Sequence, residues 1–290
     1  MTTFRCLVCE ETRSEPVFVG CEDYYLRKPF RADYHRCLGC RLLQQFPVPG
    51  DVSPFYEDYP IHQHKSGIYE LARNLLMSPA YFDARRLPPS ARLLDYGCGD
   101  GSYLMSPRAR GPERLGFEND APHALRLTDE LGFRVHSDMA SLLASHEGTI
   151  DAVTMHFVLE HLTDPVGAFA EVSRLLKPGG VFYFVVPQPD SLEARLFGRK
   201  WHNLDPPRHI LFPDVATVAA LARRHRFAVE RHAAVPIPTG FAASVPVLLM
   251  GRFNLPVFML AMPLGVVFSR LAPQGSRAFW LVKEGTRGLS

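Results

Sequence analysis

Two kinds of stretch alternate along residues 91–283, short apolar runs and longer stretches whose apolar residues recur every three or four positions. The first kind favours a buried strand and the second an amphipathic helix. The predicted strands are Arg92–Leu94, Arg114–Glu118, Phe133–His136, Ile150–Met155, Val181–Val186, Phe227–His232 and Ala278–Val282. The predicted helices are Ser102–Arg110, Ala121–Leu131, one that begins at Asp164 and ends within 177–180, and Asp214–His225. This alternation predicts an α/β fold with a seven-stranded, doubly wound sheet.

The segment before the first of these strands has a different character. Residues 47–65 contain four prolines and one glycine, which predicts a linker. His62 and His64 are interpreted as loop residues within it. Ile68–Leu87 has helical spacing, and Pro79 is expected to break it. The predicted organisation is a module at 1–50, a linker with capping helices at 51–90, and a main domain at 91–290.

A glycine-rich turn follows the first predicted strand of the main domain. Asp95 ends the strand, and Gly97, Gly99 and Gly101 follow at every second position. Glycine lets a backbone turn sharply and approach a ligand closely. Ser102 replaces the last glycine of a dinucleotide fingerprint, and the acids at 95 and 100 would repel a pyrophosphate. The turn therefore favours a cationic ligand, with a dinucleotide-dependent oxidoreductase as the rival interpretation.

The stretch from Asp95 to Gly101 resembles the first motif of class I S-adenosylmethionine-dependent methyltransferases. Two later stretches, VLEHLTDP at 158–165 and RLLKPGGVFYFVVP at 174–187, are similar to further motifs of that family. The resemblance covers residues 91–190 and implies a Rossmann-like sheet and S-adenosylmethionine as cofactor. It also implies methyl transfer to a small-molecule acceptor such as a sugar, a secondary metabolite or a lipid-like or quinone-like compound.

The resemblance implies a set of cofactor-binding residues as well: Asp95, Gly97, Gly99, Gly101, Glu118, Asn119, Asp138, Met139 and His156. Glu118, after the second strand, is expected to hold both ribose hydroxyls. Asp138 is expected on the adenine amino group, with Met139 beside the ring. An N-cap role for Asp138 is an equally good interpretation, because aspartate often begins a helix.

Two histidines are the candidate catalytic residues, His161 and His209. Some quinone and small-RNA methyltransferases bind a divalent metal through E-x-x-E-H at the place of Glu160 and His161. Phe157 stands at the first glutamate position here, which disfavours a catalytic metal. Either histidine can serve as a general base or in a structural role.

Four cysteines form two pairs, Cys6-x-x-Cys9 and Cys37-x-x-Cys40. Two such pairs offer four thiolates to a structural zinc ion, so a small zinc-ribbon-like module is expected, with a hairpin between the pairs. A redox role for one pair is the alternative. Residues 37–49 also resemble part of a zinc-binding module that precedes some sugar and natural-product methyltransferases.

An apolar insert occupies residues 241–273, and its central part, Leu255–Phe268, has no polar side chain. It is too short to span a bilayer, and Pro256 and Pro263 are expected to interrupt it. Three interpretations stay open: a hairpin in a membrane interface, a lid over an apolar acceptor pocket, and a homodimer face.

Charge and composition limit the kinds of binding partner and the cellular location that are expected. A net charge of +2 argues against a nucleic-acid-binding surface. The amino terminus has no apolar signal core, so a cytoplasmic protein is expected, or one peripheral at the inner face of a membrane. The functional prediction is an S-adenosylmethionine-dependent methyltransferase with a small-molecule or lipid-linked acceptor. Its rival is a non-catalytic binding protein that uses the zinc module and keeps a vestigial cofactor fold.

Overall fold

The computed structural model describes residues 3–56, 67–272 and 275–285. Within these ranges the strands are β1 (Ser14–Glu22), β2 (Arg31–Cys37), β3 (Leu43–Phe46), β4 (Arg92–Tyr96), β5 (Glu113–Phe117), β6 (Val135–His136), β7 (Ile150–His156), β8 (Leu176–Pro187), β9 (Leu211–Phe212), β10 (Phe227–Val235) and β11 (Ser276–Lys283). The helices are α1 (Ile68–Met77), α2 (Ser102–Met105), α3 (Ala121–Leu131), α4 (Met139–His146), α5 (Pro165–Leu175), α6 (Leu192–Phe197), α7 (Val215–Arg224), α8 (Pro238–Met250) and α9 (Leu255–Leu271). Linker residues 57–66, which include His62 and His64, lie outside the described residues.

The main sheet has seven strands, as the apolar pattern predicts. Their order is β10-β11-β8-β7-β4-β5-β6. The five strands from β8 to β6 run parallel, and β11 pairs antiparallel with both β8 and β10. The chain leaves β4 towards β5 and β6 on one side and returns to β7 and β8 on the other. Ligands of open α/β sheets bind beside such a switch point, at the carboxyl ends of the strands.

Two predicted boundaries are wrong. The helix expected over Ser102–Arg110 ends at Met105, because Ser106 is extended before Pro107 and a short 3-10 turn follows. The helix expected to end within 177–180 ends at Leu175, and residues 177–180 lie inside β8, which begins at Leu176. The register against β7 shifts between the pairs Ile150–Leu176 and Ala152–Val181, so the extra residues are absorbed as a bulge.

The amino-terminal segment forms a second sheet, in the order β1-β2-β3-β9. The predicted hairpin between the cysteine pairs is β1 and β2. The fourth strand of this sheet, β9, comes from the main domain and pairs with β3 through Leu43–Phe212 and Gln44–Leu211. The hydroxyl of Tyr34 lies 2.8 Å from the carbonyl oxygens of Leu204 and His209. The two sheets are therefore joined by backbone pairing as well as by side chains.

The apolar insert is a helical hairpin of α8 and α9. The expectation that proline interrupts its second half is wrong, because α9 is continuous from Leu255 to Leu271. Pro256 lies in the first turn, where no backbone donor is needed, and Pro263 is accommodated within the helix at the loss of one hydrogen bond. The two helices pack closely at Gly265, where an added Cβ would lie 3.2 Å from the Cβ of Ala242.

Candidate functional site

The glycine-rich turn lies where β4 ends and is fastened to β5. The backbone N–H groups of Gly97 and Cys98 donate to the carbonyl oxygen of Phe117 at 2.8 and 3.0 Å. Gly97, Gly99 and Gly101 have φ values of +72°, +56° and +75°, which favour glycine. An added Cβ on Gly97 would also lie 2.7 Å from Cγ1 of Val158. The turn needs glycine for both its conformation and its space.

Asp95 is buried at the end of β4, where its carboxylate is held by two neighbours from β7. Thr154 Oγ1 donates to Asp95 Oδ1 at 2.6 Å, and Nδ1 of His156 lies 3.1 Å from the same oxygen. Nε2 of His156 accepts the backbone N–H of Phe82 at 3.3 Å, so Nδ1 is the protonated nitrogen. His156 thus uses both ring nitrogens within the protein and orients the carboxylate of Asp95.

Glu118 follows β5 and lies beside the glycine turn. Its Oε2 accepts the backbone N–H of Gly99 at 3.1 Å, and the side chain is only partly buried. Asn119, the next residue, is exposed on the same loop. A second carboxylate therefore stands at the strand edge next to Asp95, with one face open to a ligand.

Asp138 is the N-cap of α4, since its side chain accepts the backbone N–H of Ser141 at 2.7 Å. The carboxylate is exposed, and Met139 behind it is half-buried against the main core. The capping interpretation of Asp138 is confirmed. Its predicted contact with an adenine amino group stays a prediction.

Two residues that sequence reasoning missed support the turn. His123 of α3 is buried, and its Nε2 donates to the carbonyl oxygen of Gly99 at 2.7 Å. Arg73 of α1 forms an ion pair with Asp100 and donates to Ser102 Oγ at 2.8 Å. Through Arg73, helix α1 contacts the glycine turn of the main domain. Nothing in the local pattern around either residue distinguishes it from an ordinary helical surface residue.

The two candidate catalytic histidines lie together, although 48 positions separate them in the chain. The ring centroids of His161 and His209 are 4.5 Å apart. Glu160 joins them: its carboxylate and one ring nitrogen of each histidine lie within 4.8 Å of one another. The hydroxyl of Tyr56 is 2.9 Å from Nδ1 of His161. Glu160 is buried and the two histidines are half-buried, and we call these three residues the acid–histidine cluster.

Burial sets the charge of this cluster. The carboxylate of Glu160 has no hydrogen-bond partner among the described residues, and burial raises its pKa to about 8. Burial lowers the pKa of His161 to about 3 and that of His209 below its ordinary value. At neutral pH the cluster is therefore uncharged, with a protonated carboxyl and two neutral imidazoles. Phe157 offers no ligand atom, so a divalent ion would find three protein donors rather than four.

The four paired cysteines converge at the end of the amino-terminal sheet, as the spacing predicts. Their sulfur atoms lie within 4.8 Å of one another, with Cys6–Cys40 at 3.4 Å and Cys9–Cys37 at 3.5 Å. Tetrahedral zinc with Zn–S bonds of about 2.3 Å sets sulfur atoms about 3.8 Å apart, so the residues fit this metal. Within the described residues Cys21 is not part of this group and is fully buried in β1.

Both cysteine pairs have the same local geometry. Four residues after the first cysteine of each pair, Glu10 and Arg41 have positive φ values of +62° and +70°. Each of these residues donates its backbone N–H to the carbonyl oxygen of that first cysteine, at 3.1 Å in both pairs. Backbone N–H groups also point at sulfur, among them Gly39 to Cys37 at 3.3 Å. Such donors stabilise thiolates and orient them for a metal.

The glycine turn at a topological switch point, with an acid after each of two neighbouring strands, defines a cofactor-binding α/β domain. Residues 64–232, more than half of the chain, match the model of a family described as a methyltransferase domain. The chain therefore belongs to this methyltransferase-domain family, and the predicted family is confirmed.

Among curated proteins, the chain is similar to relatives named ubiquinone biosynthesis O-methyltransferase. The protein from Xanthomonas campestris pv. campestris is 36% identical over 111 residues, which cover 36% of this chain and 46% of that relative. The protein from Alkalilimnicola ehrlichii is 36% identical over 119 residues, 38% of this chain and 48% of that relative. The chain thus spans about half the length of the curated relatives it matches.

Solved structures are more distant. A geranyl diphosphate methyltransferase in complex with SAM is 18% identical, with a TM-score of 0.48 over 74% of this chain and 85% of that chain. A cyclopropane synthase from Mycobacterium tuberculosis is 17% identical, with a TM-score of 0.47 over 79% of this chain and 88% of that chain. At these values neither likeness carries an argument about this chain.

Proposed function

We propose that this protein transfers the methyl group of S-adenosylmethionine to a small-molecule acceptor. The observation that carries the proposal is the pair of carboxylates at the edge of the sheet, with Asp95 buried on β4 and Glu118 held 3.1 Å from the backbone nitrogen of Gly99. Two acids repel a pyrophosphate and suit a ligand with cationic groups and paired hydroxyls.

Within the proposal each predicted residue has a role. Glu118 accepts the ribose hydroxyls, and the glycines at 97, 99 and 101 give the nucleoside close access to the backbone. Asn119 borders the ribose, and Asp138 and Met139 border the adenine. His156 keeps the carboxylate of Asp95 oriented rather than contacting the cofactor itself, because both of its ring nitrogens are already bonded.

Bound S-adenosylmethionine supplies an electrophilic methyl group on a positively charged sulfur. The protein then has to place an acceptor lone pair in line with that methyl group and exclude water, which supplies most of the rate. The acid–histidine cluster lies in the loop between β7 and α5 and in the loop before β9, and its neutral imidazoles can receive an acceptor proton. The low pKa of His161 makes it a weak base, so we assign the cluster a secondary part in catalysis.

The proposal also includes a class of acceptor and a structural metal ion. The names of the curated relatives favour a phenolic, quinone-like acceptor and O-methylation over a sugar. The four cysteines at 6, 9, 37 and 40 hold a structural zinc ion, which stabilises the amino-terminal sheet and leaves no open position for catalysis.

Isothermal titration calorimetry with S-adenosylmethionine, S-adenosylhomocysteine and NAD tests the cofactor. We expect both adenosyl compounds to bind and NAD not to bind. Glu118→Gln should weaken their binding by at least about tenfold, since it removes a charged acceptor from the ribose hydroxyls. Glu113→Gln, an exposed acid on the same strand, is the matched control and should leave binding unchanged. Tight binding of NAD instead would identify an oxidoreductase and overturn the proposal.

Transfer itself is tested with S-adenosylmethionine labelled in the methyl group and a panel of catechols, polyprenylated phenols and sugars. Label in a phenolic product supports the proposed acceptor class, whereas label in a sugar corrects it. Cofactor binding with no transfer to the panel or to a whole-cell metabolite extract would favour the non-catalytic binding protein.

A further inference from the structure

Helix α9 presents an apolar face to solvent along its whole length. Leu260 is 80% exposed, Leu264 63% and Leu271 81%. The other members of this face are Leu255, Pro256, Met259, Pro263 and Val267, all exposed. A helix of 17 residues is about 26 Å long, so the face is a continuous apolar ridge. Contiguous exposed apolar surface of this kind marks an interaction site.

The opposite face of α9 explains why the ridge points outwards. Ala261, Gly265 and Ser269 are its buried positions, four residues apart, and they pack on α8. These residues are small, so they bring the two helices close together and leave every large side chain of α9 on the sides or the outer face. The helix is anchored through small residues and displays its leucines.

The charge around the hairpin is one-sided. Residues 236–273 contain two basic residues, Arg252 and Arg270, and no acidic residue, whereas the whole chain has 32 basic and 30 acidic residues. Arg252 and Arg270 are exposed at the two ends of α9. Lys200 donates to the carbonyl oxygen of Leu248 at 3.1 Å, beside the exposed tip of α8.

Further basic side chains come from the loop between β1 and β2. The exposed Arg27 and the neighbouring Lys28 border the same surface hollow as Gly251, at the tip of the hairpin. The acids that border this hollow are already paired, Glu22 with Arg31 and Asp23 with Arg208. The protein surface around the tip of the hairpin therefore carries a net positive charge.

We propose that α9 lies in the interface of a membrane that contains anionic lipids, with its apolar ridge in the acyl region and the flanking basic residues on lipid phosphates. An exposed apolar helix flanked by basic residues adds apolar burial to electrostatic attraction. None of the helices among residues 3–56, 67–272 and 275–285 has both the length and the hydropathy to cross a bilayer. Because the face of α9 opposite the ridge packs on α8 and the ridge runs along the whole helix, α9 lies along the membrane plane. This inference goes beyond methyl transfer and does not depend on it.

The positive charge of the hairpin also argues against a homodimer. The solvent exposure of its leucines argues against a lid. An antiparallel two-fold pairing of α9 would bring Arg252 of one copy near Arg270 of the other, and the segment has no acid to compensate. A lid over an acceptor pocket would bury its apolar face against the protein, but Leu260 is 80% exposed. Lipid headgroups supply the negative charge that the homodimer lacks.

Flotation of the full-length protein with vesicles tests the proposal. We expect co-flotation with phosphatidylcholine vesicles that contain about 30% phosphatidylglycerol, and weaker binding to phosphatidylcholine alone. The double variant Leu260→Ser/Leu264→Ser should lower the partition coefficient by at least about tenfold. The double variant Arg252→Gln/Arg270→Gln should lower binding to anionic vesicles by about fivefold per arginine.

Leu125→Ser is the matched control, because Leu125 is a 66% exposed leucine on α3, outside the hairpin. It should float like the wild-type protein, and circular dichroism should show the same fold for all variants. Two results would overturn the proposal. One is the absence of flotation with anionic vesicles. The other is a dimer, measured by light scattering, that the Leu260→Ser/Leu264→Ser variant dissociates.

Discussion

Arg208 donates two hydrogen bonds to Asp23 at 2.8 and 3.1 Å, although 185 positions separate these residues in the chain. Both side chains are fully buried, and Asp205 is the second carboxylate on the same guanidinium. This contact joins the amino-terminal sheet to the loop that carries His209. The cysteine-rich segment and the acid–histidine cluster are thus parts of one packed structure.

Removal of Asp23 should destabilise the protein strongly. Asp23→Ala leaves a buried guanidinium with one carboxylate instead of two, and we expect a loss of about 3 kcal/mol in the free energy of unfolding. Glu22→Gln breaks only the exposed pair with Arg31 and should cost less than about 1 kcal/mol. Urea unfolding measures both. Equal costs for the two variants would show that the buried contact contributes nothing beyond a surface pair.

Zinc content tests the cysteine cluster directly. We expect one zinc ion per chain by elemental analysis, and Cys37→Ser should lose it and unfold at a lower temperature, because metal binding and folding of a small site are coupled. Cys21→Ala, which changes a buried cysteine outside the cluster, is the control and should keep the metal. A purified wild-type protein without zinc, folded and insensitive to chelators, would contradict the assignment.

Two glycine-to-alanine changes separate backbone strain from loss of space. Gly97 and Gly132 have similar φ values, +72° and +70°, but an added Cβ meets Val158 at Gly97 and nothing within 4 Å at Gly132. Both variants should lose about 1 kcal/mol of stability from the backbone. Gly97→Ala should also weaken S-adenosylmethionine binding by at least about tenfold, because the turn must shift. If Gly132→Ala weakens binding equally, the crowding at Gly97 is not the cause.

A buried glutamate under the apolar hairpin should make stability depend on pH. Burial raises the pKa of Glu193 from its ordinary 4.5 to about 7, although Trp201 Nε1 donates to it at 2.6 Å. Between these two pH values the folded protein holds a proton that the unfolded chain has lost. The stabilisation is therefore complete below pH 4.5 and is lost as the pH rises through 7.

Glu193→Gln removes this dependence. The free energy of unfolding of the variant relative to wild type should rise by about 3 kcal/mol between pH 4.5 and 8, measured by urea unfolding. Glu147→Gln is the control of opposite sign, because the hydrogen bond from Arg174 lowers the pKa of Glu147. Its stabilising effect on the wild type is lost as the pH falls. A flat difference curve for Glu193→Gln would mean that this carboxyl ionises normally.

Local chemistry accounts for the features that the sequence predicts well. Asp164 followed by Pro165 marks the start of α5, and the aspartate accepts the backbone N–H of Gly167 at 2.8 Å as an N-cap. The apolar run 181–186 is the buried centre of β8. The glycine turn and the two cysteine pairs are equally local, since each signal lies within a few consecutive residues.

The features that the sequence does not predict depend on distant partners. Arg73 and Asp100, His161 and His209, and Arg208 and Asp23 meet only because the chain folds, and no periodicity encodes such pairs. Pro263 misleads for a related reason: tertiary packing against α8 keeps α9 helical where the local preference would break it. Element type is thus more predictable than the contacts that build the site.

The short strand β9 has a consequence for how this protein acquires its structure. Residues 14–46 leave the ribosome early, but the edge of their sheet is completed by Leu211 and Phe212, about 170 positions later. Contacts of such sequence separation form late and slow the folding of a chain. During synthesis the amino-terminal sheet therefore has an unpaired edge at β3 until β9 is made. Such an edge is prone to pair with other chains. Exchange of residues 1–50 between members of this family should fail to give folded chimeras unless the loop from Asp205 to Phe212 is transferred with them.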